Sequence, residues 1–61
     1  MNMYKIRRKK GLTMEQVAAR AGISVSAAWR CEKGQVRSRL DTLQKIAKAL
    51  GVPLKELISD E

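Results

Sequence analysis

Sixty-one residues make one small domain, 1–61, of a size that buries only about 60% of the surface its unfolded chain exposes. A single cysteine excludes an internal disulfide, and with no histidine the ligands of an ordinary zinc site are missing, so no metal or other cofactor is expected. Thirteen Lys and Arg against six Asp and Glu leave a net charge of +7, a balance that suits nucleic acid but is shared by many small soluble domains.

The hydrophobic period is helical almost throughout, with no credible strand, and five short helices fit: the fold class is all-α. The first helix is predicted over about 2–10, where Met3, Ile6 and Lys10 share a side and Gly11 ends the run. KIRRKK at 5–10 packs its cations into this helix, and most of them read as a solvated face. Thr13 opens the second helix and pairs with Gln16 in a capping box; Val17, Ala18 and Ala21 form its inner face, and Gly22 closes it. Ser24 is a good N-cap for a third helix over 24–33. Ala28 and Cys31 face inward there with Glu32 at the edge, whereas Val25, Ser26, Trp29, Arg30 and Lys33 face outward. A fourth helix starts near Arg39, behind a second capping-box pattern at Ser38 and Asp41, and carries the stripe Leu43, Ile46, Ala47 and Leu50 with Leu40 just ahead. After Gly51, Pro53 pre-sets a fifth helix bearing Leu54, Leu57 and Ile58.

The predicted core comprises Met3, Ile6, Leu12, Val17, Ala18, Ala21, Ile23, Ala28, Cys31, Leu40, Leu43, Ile46, Ala47, Leu50, Val52, Leu54 and Leu57. Cys31 reads as a small core hydrophobe, because no partner ligand is in view. From Thr13 to Gly34 the chain then forms two short helices joined by a tight turn, Ala21-Gly22-Ile23-Ser24, with cations on both sides. That is the pattern of a helix-turn-helix whose second helix enters the major groove of double-stranded DNA. Aromatic residues are limited to Tyr4 and Trp29, which argues against binders that stack single-stranded bases.

Arg7, Gly11-Leu12-Thr13, Val17-Ala18, Gly22-Ile23-Ser24, Glu32-Lys33-Gly34 and the run Leu43 to Val52 stand in order and at spacing that resembles the Cro/C1-type (lambda-repressor-like, XRE) helix-turn-helix family, over nearly the whole chain. The resemblance implies a compact five-helix domain and a sequence-specific transcriptional regulator, a repressor from a bacterium, phage or mobile element. It implies a phosphate at the start of the second helix, beside Thr13 and held by the free amides around Met14 and Glu15. The family usually has Gln at the position of Met14, so the side-chain clamp that Gln provides is absent.

The family's base-reading positions fall on Val25, Ser26 and Arg30, with Ala27 and Trp29 as neighbours. Val25 can touch a thymine methyl, and Ser26 can bond to most base edges. Arg30 has two equal readings, a fork onto guanine O6 and N7 or a phosphate contact. Trp29 also has two: packing on a sugar with its indole N–H to a phosphate, or folding back over Ala28. Lys33, Arg37 and Arg39 are the expected phosphate contacts beyond the reading helix, and Arg7 and Glu32 resemble the family's structural ion pair. Val52, Leu54, Leu57 and Ile58 offer a surface for a weak homodimer, which implies a palindromic operator.

A protein-interaction role in the same fold, such as the antitoxin of a toxin–antitoxin pair, is the alternative. A membrane-active cationic peptide fits the charge but not the capping boxes and glycine stops. An enzyme is not expected: no histidine, Ser–base pair, Gly-rich phosphate loop or carboxylate cluster is present. The lone thiol, an N-terminal segment without a following apolar run and the lack of a membrane-length apolar stretch lead to an expected cytoplasmic location.

Overall fold

The structure, a computed structural model, describes residues 2–34 and 40–59. Ser38, Arg37 and Arg39 lie outside the described residues, and with them the capping box expected ahead of the fourth helix. Five α-helices and no strand are present among the described residues: α1 (Met3–Lys9), α2 (Met14–Ala21), α3 (Val25–Lys33), α4 (Leu40–Leu50) and α5 (Leu54–Ile58).

The helix starts are set locally. Thr13 Oγ1 accepts from the Gln16 amide at 3.1 Å while Gln16 Oε1 accepts from the Thr13 amide at 2.8 Å, so two first-turn donors are satisfied by one reciprocal pair. Ser24 Oγ accepts from the Ala27 amide at 3.1 Å and starts α3 the same way. Gly22 ends α2 with φ 71°, a left-handed conformation that costs glycine nothing and a side chain much more. The Ile23 amide then donates back to the Ala18 carbonyl at 3.0 Å, which turns the chain sharply into α3.

Helix α2 sits in the middle. It packs against α3 on one flank and α4 on the other; α4 packs on α5, and α1 bridges α3 to α5. The Asn2 amide closes this arrangement by donating to the Leu57 carbonyl at 2.8 Å. Met3, Val17, Ile46 and Leu57 are fully buried, one each from α1, α2, α4 and α5, and Ala28 is the fully buried residue of α3. Each of the larger side chains gains roughly 1.5–3 kcal/mol from leaving water.

Three residues depart from the sequence-based core. Met14, assigned above to the phosphate site, is only 2% exposed and belongs to the core. It stands on the same helical face as Val17, Ala18 and Ala21, so its side chain turns in. Leu40, expected inside, is 61% exposed, because it is the first residue of α4 and lies beyond the reach of the core. Val25, expected to face outward, is half-buried against the core at the first turn of α3.

Candidate nucleic-acid interface

The α2–α3 corner presents one open helix face and one open helix start. On α3 the inward residues Ala28 and Cys31 fix the rotation, which leaves Ser26 and Arg30 exposed one turn apart. Ala27 is half-buried beside them. At the start of α2 the amides of Met14 and Glu15 have no acceptor among the described residues, as expected for a first helical turn. Met14 and Glu15 line a depression of about 400 Å³ together with Arg7, Arg8, Gly11, Leu12, Thr13 and Trp29. Unpaired amides and the positive end of a helix dipole favour an anion there, and Arg8 adds a full charge. The Glu15 side chain is exposed at the same place and opposes an anion, so only its amide can serve one.

Arg7 ties this corner together. Its Nε donates to Glu32 Oε1 at 2.8 Å and its Nη2 to Glu32 Oε2 at 3.3 Å, a bidentate pair, while Nη1 donates to the Leu12 carbonyl at 3.0 Å. The Arg7 and Glu32 side chains are only 11% and 7% exposed. The hydrogen bond to Glu32 raises the Arg7 pKa above its ordinary value, with burial working against it. One residue of α1 thus fixes both the end of α3 and the loop that leads into α2.

Trp29 is 41% exposed and flanked by cations. The Arg7 guanidinium lies 5.9 Å from its ring centre and the Lys33 ammonium 5.8 Å. The Trp29 ring therefore stands beside the Arg7 side chain of α1. Lys33 is exposed, with its ammonium held over that ring. Tyr4 stands at 5.6 Å from Arg7 and 5.8 Å from Arg8, extending the row of ring and cation contacts along α1.

Arg8 is the residue that sequence reasoning left in the solvated face. Its place in the depression depends on how α1 packs, and no local pattern separates it from Lys9 and Lys10. Arg37 and Arg39 lie outside the described residues. Of the four residues named for pairing, Leu57 is fully buried, Val52 and Leu54 pack partly against the core, and Ile58 alone is largely open, at 49%.

No helix among the described residues is long and apolar enough to cross a membrane. No solved structure matches the chain. The helix-turn-helix family profile matches residues 3–57. The chain is 41% identical over 58 residues to an uncharacterised HTH-type transcriptional regulator, y4dJ, of Sinorhizobium fredii, covering 95% of this chain and 75% of that protein. It is 38% identical over 55 residues to the cryptic phage CTXphi transcriptional repressor RstR of Vibrio cholerae, covering 90% of this chain and 50% of the repressor. With a family match that spans nearly every described helix, around a capped α2–α3 corner, the chain belongs to the Cro/C1-type helix-turn-helix family of DNA-binding transcription regulators.

Proposed function

We propose that the chain represses transcription by laying α3 in the major groove of a specific double-stranded site, with Ser26 and Arg30 as the principal base-reading side chains. The observation that carries this is the exposed pair Ser26 and Arg30, one turn apart on a helix whose other side is locked into the core. Val25, half-buried, offers only part of its surface to a thymine methyl, and Trp29 borders the reading face. The backbone is held by the Met14 and Glu15 amides behind Thr13, by Lys33, and by Arg37 and Arg39 on the segment before α4. Repression follows the similarity to a phage repressor. Two copies meeting near Ile58 on a palindromic operator would set two α3 helices about one DNA turn apart. Such a protein acts in the cytoplasm.

The test is selection of a binding site from random duplexes with the purified chain, followed by a salt titration on the selected site. The expected result is one enriched motif and a log–log slope of about −0.9 for each neutralised phosphate. No enriched motif with a flat salt response would sink the proposal.

A further inference from the structure

We propose that the seam between α2 and α4 is a docking site for an acidic protein segment. It goes beyond the DNA reading and does not depend on it. Arg20, from the last turn of α2, and Lys45 and Lys48, from successive turns of α4, line an open groove of about 500 Å³ whose remaining walls are Ala21 and Ala49. The three cationic residues are exposed, and none forms an ion pair among the described residues. Lys45 and Lys48 stand three residues apart, so their stems leave the same helix face about 5–6 Å from each other and repel. An arrangement that gathers like charges over a small apolar floor is relieved by carboxylates from outside the domain.

Position and lining favour a protein segment over DNA. Helix α2 packs on both α3 and α4, and the groove is lined by α2 and α4 with no residue of α3. Arg20 is six residues beyond Met14, roughly 9 Å further along α2 than the helix start that faces the depression beside Trp29. Ala21 is already buried in the core, and a phosphate backbone would leave the half-buried Ala49 uncovered. An acidic peptide brings carboxylates to the three cations and a small apolar side chain to Ala49.

The experiment uses the full chain, isotope-labelled for amide NMR and titrated with a blocked glutamate–alanine peptide. Saturable shifts confined to the groove, at Arg20, Ala21, Lys45, Lys48 and Ala49, are expected. Lys45→Ala with Lys48→Ala should weaken the peptide at least about ten-fold. Lys5→Ala with Lys9→Ala, which removes the same charge from α1, should change it by less than about two-fold. Shifts spread over α1 and α3, equal losses in both double variants, or no saturation would overturn the proposal. A DNA titration runs beside it. If the groove variant instead loses DNA affinity and about two units of salt slope, the groove is a phosphate contact and the protein-docking proposal fails. Failure of the unaltered chain to bind DNA would count against the repressor reading alone.

Discussion

The α1–α3 junction and the α2–α4 seam are both cationic, and they use their charge in opposite ways. At the junction the Arg7 guanidinium is bonded three times, to Glu32 and to the Leu12 carbonyl, and has aromatic rings of Tyr4 and Trp29 nearby. At the seam Arg20, Lys45 and Lys48 are exposed and make no ion pair among the described residues. A net charge of +7 is therefore not one property. A desolvated, paired cation holds geometry and becomes a liability once its partner goes. A hydrated cation holds nothing within the fold and is available to a partner.

Removing Glu32 tests the first half of that contrast and should have the largest effect. Glu32→Ala leaves Arg7, whose side chain is 11% exposed in the parent, without its counter-charge, at a cost on the order of 3 kcal/mol. In a domain this small the melting temperature should fall by on the order of 10 °C or more. An unchanged melting curve would show that the pair does not hold the corner. The pH dependence has a definite sign on the arginine side. A folded-state pKa raised above the unfolded value contributes stability that is complete below the unfolded pKa and is lost only as pH rises through the folded one. Arg7 therefore stays charged across the working range, and no loss of stability from it is expected there.

Arg30 carries no such structural duty, so Arg30→Ala should leave melting within about 0.5 kcal/mol. On the selected DNA site it should cost about 1–3 kcal/mol and flatten the preference at one base pair. Competition against single-base variants measures this. Equal loss on every variant would make Arg30 a phosphate contact. Trp29→Leu should fall between the two classes. Each exposed ring–cation contact is worth about 0.5–1 kcal/mol, so a stability loss of about 1 kcal/mol is expected, read by denaturant titration. A full-strength loss of DNA affinity with no change in melting would move Trp29 from bracing the junction to touching DNA.

What the sequence made legible was local. The Thr13–Gln16 box, the Ser24 cap and the glycine stop at Gly22 act within five residues, and the helix bounds they mark stand where the pattern puts them. Met14 was legible too, since Met14, Val17, Ala18 and Ala21 are one i, i+3, i+4, i+7 stripe. The family resemblance drew attention to its missing amide group and away from that stripe. Leu40 extends the apolar stripe of α4 by one turn, but the pattern holds no information on where the neighbouring helices end. The ring contacts of Trp29 with Arg7 and the gathering of Arg20 with Lys45 at one groove are set by how the helices pack, and no spacing rule reaches across that packing.

The smallest expected effect bears on the second half of the contrast. Lys48→Ala removes an exposed cation from the last turns of α4. Three terms act on stability. Alanine is the better helix former by a few tenths of a kcal/mol. Relief of the like-charge repulsion between Lys48 and Lys45, three residues apart, contributes about 0.2–0.5 kcal/mol. Against these, a cation near the C-terminal end of the helix has a favourable dipole interaction of about 0.3–1 kcal/mol at low salt. The sum is close to zero at low salt and turns slightly stabilising as salt screens the dipole term, because the propensity gain is not electrostatic. The unfolding free energy from denaturant titrations at two salt concentrations should therefore rise for the variant relative to the parent as salt is added, by no more than about 0.5 kcal/mol. A clear destabilisation at high salt would mean that the Lys48 stem packs on Ala21 and Ala49 as part of the fold, and the seam would then resemble the junction after all.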